Sequence, residues 1–249
     1  MKMKVVVNPT YHSLMSFITS LPECFGKEGT VIYEGRNHLK RFDIETVQLT
    51  VKSFRILKFF NRIIYTFFRS SKAKRSYLHG MTLLEKGINT PEPVAYIENR
   101  KRGLLSDSYY ICMYFESDGM MREFHRGTLV GREMLLQQFA RFTASLHEQA
   151  VHPLDYSPGN ILYQVKDEQY SFSLVDINRM RFETVGMKTG CESLRRLWGS
   201  HEMITFIAAE YARARGFDIE TCVRLCLYYH ARFWKRYSRR HNGFQPYGE

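Results

Sequence analysis

The sequence predicts an α+β chain of two lobes, a β-rich N-lobe over residues 1–115 and an α-helical C-lobe over residues 116–249. Three observations carry this. Runs rich in β-branched and aromatic residues crowd the first half, punctuated by glycine and proline. Beyond Glu116 the apolar spacing turns helical. No internal repeat or low-complexity linker breaks the chain into an array.

In chain order, "GTVIYEGRNHLKRF" and "VQLTVKSF" read as strands, the first folding back at Gly35-Arg36-Asn37. "KAKRSYLHGMTLLEKG" reads as a helix that stops at Gly87, with Pro91 and Pro93 as breakers behind it. "SYYICMYF" is another strand, so the N-lobe is expected to hold strands and one helix. In "REMLLQQFARFTASLHEQ", Leu135, Phe139, Phe142 and Leu146 fall at i, i+4, i+7 and i+11, one face of a helix. "NILY" and "SFSLVD" are short strands, and the rest of the C-lobe reads as helical.

At 44% apolar and 14% aromatic, the composition supports a real core and excludes a disordered chain. No apolar run reaches membrane-spanning length, and the opening "MKMKVVVNPTYHS" is too short in its apolar part for a signal peptide, so a cytoplasmic location is expected. Five cysteines, Cys24, Cys112, Cys191, Cys222 and Cys226, are scattered without a C-x-x-C spacing and read as reduced thiols. Cys222 and Cys226 share a helix face, where buried packing is the simplest role. The net charge of +11 is local: residues 46–84 hold eight Lys or Arg, residues 221–248 hold six, and neither stretch has an acid. Such concentration points to an anionic partner, with solvated helix faces as the plain explanation. Basic and aromatic residues interleave, but no RNA-binding module is visible and nucleic acid is not expected.

One loop carries chemistry. "HPLDYSPGNILY" places Asp155 and Asn160 five residues apart before a strand, and sixteen residues on the strand "SFSLV" ends at Asp176. Upstream, Lys52 lies on the strand "QLTVKSF". Strand lysine, D-x-x-x-x-N loop and strand-end aspartate, in this order, resemble the protein-kinase-like fold over roughly residues 26–240. Phosphoryl transfer needs a base for the acceptor hydroxyl, oxygen ligands for a divalent ion and a cation on the inner phosphates. Asp155 can serve as the base, Asn160 and Asp176 as Mg²⁺ ligands, and Lys52 as the contact to ATP phosphates.

The pattern also departs from protein kinases. Pro153-Leu154-Asp155 replaces H-R-D, Asp176-Ile177-Asn178 replaces D-F-G, and no A-P-E follows, so a small molecule or glycan suits better than a polypeptide. No G-x-G-x-x-G is present, and only the turn Gly35, Arg36, Asn37 stands where nucleotide phosphates would be covered. The helix offers Lys52 no central glutamate; Glu85, near its end, is the one candidate.

"EGRNHLKRF", "TVKSF", "LLEKGINTPEPVAYIE", "DYSPGNILY" and "LVDINRMRF" together resemble the lipopolysaccharide core kinases, the Kdo and heptose (WaaP-like) kinase family. The resemblance implies a bilobal protein-kinase-like fold, with a nucleotide-binding N-lobe sheet and a C-lobe holding the catalytic loop and metal site. It implies an ATP- and Mg²⁺-dependent transferase that phosphorylates a Kdo or heptose hydroxyl of a lipid A-core precursor, with Arg179 as a contact for an anionic sugar. A kinase for another small molecule or a protein, and a pseudokinase binding module, are the alternatives. The acceptor also bears on "SFRILKFFNRIIYTFFRSSKAKR", where Arg55, Lys58, Arg62 and Arg69 recur at helical spacing beside Ile and Phe residues. Such a helix suits the anionic surface of the inner membrane, giving a peripheral location; packing as ordinary core is the competing role.

Overall fold

The computed structural model describes residues 2–35, 37–55, 59–125 and 127–241. The chain divides into two compact units, Met1–Glu116 with Asp176–Asn178, and Ser117–Val175 with Arg179–Glu249. The first is built on a sheet and the second is mainly helical, the α+β arrangement that the sequence predicts.

The first unit contains β1 (Lys2–Val7), α1 (Met15–Cys24), β2 (Thr30–Glu34), β3 (His38–Ile44) and β4 (Val47–Arg55), then α2 (Phe59–Ile63), which continues as a π-helical turn over Ile64–Phe68. After these come α3 (Lys72–Glu85), β5 (Pro93–Lys101) and β6 (Leu104–Met113). The strands form one antiparallel sheet in the order β1-β5-β6-β4-β3-β2. Alternation along each strand sends side chains to opposite faces. Leu49, Val51, Ile97 and Ile111 face α1, where Ile18 and Leu21 complete one core. Phe54, Tyr96, Tyr110 and Cys112 face α3 and pack on Ala73 and Tyr77.

The expectation of one N-lobe helix beside the basic segment is corrected: α1 is helical as well, and β1 and β5 are additional strands, while residues 59–68 are helical as the spacing of the basic segment predicts. The reason for β5 is local: Pro93 reads as a breaker in sequence, whereas the structure places it at the head of the strand, beside a register shift, where a proline is tolerated. The basic segment expected as one amphipathic helix keeps strand geometry through Arg55, because β4 pairs with β6 as far as Asp107.

The second unit contains β7 (Gly119–Met120), α4 (Glu133–Glu148), β8 (Val151–Pro153), β9 (Ile161–Lys166), β10 (Gln169–Leu174), β11 (Met180–Phe182), α5 (Met187–Ser193), α6 (His201–Arg215) and α7 (Ile219–Arg240). Leu135, Phe139 and Leu146 of α4 are buried as their spacing predicts. α4 packs on α6, and α7 packs on α5 and α6. β7, β8 and β11 correct the expectation of only two strands in this half; each has two or three residues, too few to show a period.

Candidate active site

In the first unit, Lys52 and Phe54 sit on the α3 face of β4, with Lys52 opposite Leu39 on β3 and Tyr110 on β6. The ammonium of Lys52 lies 5.4 Å from the centre of the Phe54 ring and 2.7 Å from Asp176 Oδ1. Asn178 Nδ2 donates to the same carboxylate oxygen at 2.5 Å. Asp176 adopts a left-handed φ of 53°, which turns the chain sharply at the end of its strand.

α3 is the helix from which a glutamate would reach Lys52. It is capped by Ser71, whose Oγ accepts from the Lys74 amide at 3.0 Å. Glu85 lies exposed at its end. The central turn instead presents His79, whose Nδ1 donates to the Ile177 carbonyl at 2.7 Å. Burial pushes this imidazole below its ordinary range. Gly80 permits the approach: a Cβ there would stand 2.5 Å from Pro93 Cγ and 3.2 Å from Ile177 Cδ1. So α3 steadies the segment after Asp176 through a histidine and a glycine.

In the second unit, β8 pairs with β11 and the Leu154 amide donates to the Arg179 carbonyl at 2.9 Å. This ladder sets Arg179 beside Asp155, with Nη1 3.4 Å from Oδ2. Arg196 takes the other oxygen, Nη1 to Oδ1 at 2.5 Å, while its guanidinium lies over Phe233. Each carboxylate oxygen has two acceptor sites, so both keep one available. The next residue anchors the loop: Tyr156 is buried, stacks on Phe139 at 5.9 Å and meets Thr143 Oγ1 at 2.8 Å.

Asn160 ends a 3₁₀ turn, Pro158–Asn160. Its Nδ2 donates to the Asp155 carbonyl at 3.0 Å, which fixes the amide orientation and leaves Oδ1 as its acceptor. The Arg122 guanidinium lies against Gly159, with Nη2 2.5 Å from where a Cβ would stand. A carboxylate from Asp176 and an amide oxygen from Asn160 are hard donors of the kind Mg²⁺ takes, so these residue types fit that ion.

The remaining expected residues are placed as follows. Gly35 and Asn37 flank the β2–β3 turn, with the Tyr33 ring folded against Gly35; Arg36 lies outside the described residues. Arg55 and Arg69 are exposed, and Lys58 lies outside the described residues. Arg62 turns inward, donating to the carbonyls of Leu105 at 3.0 Å and Lys101 at 3.2 Å. Around them Phe59, Phe60, Phe67 and Phe68 are 59–82% exposed, so this apolar side is not core. Arg196 and Arg122 were invisible to motif reading: neither belongs to a recognisable spacing, and only the tertiary fold brings them to the loop. Among the described residues no helix is long and apolar enough to cross a membrane.

A family model described as the lipopolysaccharide kinase (Kdo/WaaP) family matches residues 61–215. Among solved structures, WaaP in complex with acyl carrier protein shares the fold, with a TM-score of 0.64 and 16% identity over 94% of this chain and 99% of that one. Among curated proteins, the monodechloroaminopyrrolnitrin halogenase PrnC of Pseudomonas fluorescens is 31% identical over 118 residues, 43% of this chain. The chain spans about a fifth, 21%, of that relative's length, too small a share to bring halogenation with it.

Proposed function

The chain belongs to the lipopolysaccharide kinase (Kdo/WaaP) family, and from that premise we propose that it transfers the γ-phosphoryl group of ATP to a sugar hydroxyl, Kdo or heptose, of a lipid A-core precursor. The observation that carries the reading is the 2.7 Å pair of Lys52 and Asp176, a strand lysine and a strand-end aspartate drawn together from distant sequence.

In the proposed reaction Asp155 accepts the proton of the acceptor hydroxyl. Arg196 and Arg179 hold its carboxylate in one orientation, so the carboxylate need not reorganise when the hydroxyl arrives. Lys52 pairs with the inner phosphates, and Asn160 and Asp176 hold Mg²⁺, which when bound neutralises phosphate oxygens. Gly35, Arg36 and Asn37 supply the turn that covers the nucleotide. His79 fixes the backbone behind Asp176, the residue that pairs with Lys52. This arrangement favours an active enzyme over a pseudokinase module, since Lys52 has its partner without a helix glutamate.

The exposed phenylalanines of the segment 59–68, together with Arg55, Lys58 and Arg69, are proposed to rest on an anionic membrane surface, where the acceptor is anchored. Arg62 pins the segment to β6 and takes no direct part. The deciding experiment incubates the protein with γ-labelled ATP, Mg²⁺ and purified lipid A-core acceptors. Label is expected in the glycolipid; ATP hydrolysis with no labelled glycolipid would leave a nucleotide-binding fold with a different acceptor.

A further inference from the structure

Three cysteines far apart in sequence meet in the second unit. Cys191 lies on α5, and Cys222 and Cys226 lie one turn apart on α7. Their sulfurs are all within 4.8 Å of one another, with Cys191 and Cys222 Sγ 3.4 Å apart. Each residue is at most 1% exposed.

Packing accounts for one or two thiols between helices, since cysteine behaves there as a small apolar group. It does not require three sulfurs to converge. Metal–thiolate bonds of about 2.3 Å set sulfur–sulfur edges of about 3.8 Å in a tetrahedral site and about 4.0 Å in a trigonal one. The one approach of 3.4 Å falls slightly inside those edges, and no separation exceeds 4.8 Å. The α5–α7 contact therefore holds a sulfur triangle of metal-binding size.

The donor set then selects the ion. Among the described residues no His, Asp or Glu joins the group. His147, which faces the neighbouring Gly190, has both nitrogens engaged, Nδ1 with Tyr211 Oη at 2.8 Å and Nε2 with Ser193 Oγ at 3.3 Å. Structural zinc sites take four ligands. A closed-shell Cu⁺ ion has no such demand, accepts three ligands, and is favoured by soft thiolates.

We propose that Cys191, Cys222 and Cys226 form a three-sulfur binding site for a single Cu⁺ ion, which staples α5 to α7. Loading replaces thiol protons by the ion, so protons leave and affinity rises with pH. No electron is transferred.

The test uses the full chain, reduced and kept anaerobic, titrated with Cu⁺ against a chromophoric Cu⁺ chelator. One ion per chain is expected, with near-ultraviolet thiolate-to-copper absorption and a raised melting temperature. Cys191→Ser, Cys222→Ser and Cys226→Ser should each remove that binding, while Cys24→Ser and Cys112→Ser should keep it. Because a core serine can itself unfold the chain, X-ray absorption on the loaded unmutated protein provides a second reading, with three sulfur neighbours expected. Absence of bound copper, binding that survives the three core variants, fewer than three sulfurs around the ion, or preference for Zn²⁺ would each overturn the proposal. So would a chain that loses two hydrogens to a disulfide in place of taking up the ion.

Discussion

Lys52 Nζ stands 2.7 Å from Asp176 Oδ1, while Glu85, the one acid expected to pair with the lysine, is exposed at the end of α3. Lys52→Met should therefore abolish phosphoryl transfer, and Glu85→Gln should leave kcat/KM within about twofold of the parent, since Glu85 makes no transition-state contact. Steady-state kinetics on both variants decides it; equal and severe losses would restore Glu85 to the site.

Asp155→Asn keeps the size of the side chain and an acceptor for one of the two arginines but removes the base. Turnover should fall roughly 10²-fold or more while nucleotide affinity holds. Arg196→Ala should act through Asp155, lowering kcat about tenfold with KM for ATP unchanged, and Arg196→Lys should recover part of the loss. If Asp155→Asn retains full turnover, the loop is only a turn.

Gly80→Ala tests the packing behind the site. In an open helix the change would stabilise by about 1 kcal/mol. Here the new Cβ meets Pro93 Cγ at 2.5 Å, a ring that cannot swing aside. Overpacking of this kind costs about 1–3 kcal/mol, so net destabilisation is expected. A lower urea midpoint shows it, and a higher one would mean that α3 can lift off β5 freely.

Two buried histidines make stability depend on acid. Burial, with Arg215 and His152 nearby, pushes His147 down to about 3, and burial, with His201 nearby, pushes His230 down to about 4. The unfolded chain takes these protons near pH 6.5, whereas the folded chain resists until far lower. Stability is thus complete above pH 6.5 and falls with pH below it, by about 1.4 kcal/mol per pH unit for each group. The urea midpoint should drop between pH 7.5 and pH 5, and less so in His147→Gln; equal midpoints in the parent would contradict the burial of these rings.

Binding to vesicles follows from the segment 59–68. Anionic liposomes should float the protein at low salt, with weaker binding at physiological salt as the charges are screened. Phe67→Ser with Phe68→Ser, or Arg55→Glu with Arg69→Glu, should abolish flotation, each lost cation removing about 1 kcal/mol. Arg62 is left intact because it holds the segment to β6. Salt-independent or absent flotation of the parent would sink the membrane reading.

What could be read from sequence is what lies in short runs. Lys52, Asp155, Asn160 and Asp176 each sit in a local pattern of strand or turn residues, and their order along the chain suffices to suggest the chemistry. Arg196 and Arg122 could not be found this way, since they meet Asp155 and Gly159 only once the second unit has folded. The cysteine triangle has the same character: Cys222 and Cys226 share a helix face, but Cys191 joins them through packing of α5 on α7. β5 was hidden by Pro93, which reads as a breaker until its place at the head of the strand is seen. The arginine-rich helix was misjudged in extent because β-pairing with β6 overrides helical periodicity through Arg55.

The φ of 53° at Asp176 narrows the chemistry this position can be given. A left-handed backbone is entered most easily by glycine, asparagine and aspartate; Glu45, Arg102, Ala150 and Glu168 also adopt it here, at a cost of about 1–2 kcal/mol each. An alanine scan here would mix a steric penalty on the turn with the loss of the carboxylate, and an inactive Asp176→Ala protein would say little about metal binding. Asparagine shares the tolerance for this conformation, so Asp176→Asn isolates the charge. Of the three residues that favour this backbone, only aspartate brings a negative charge.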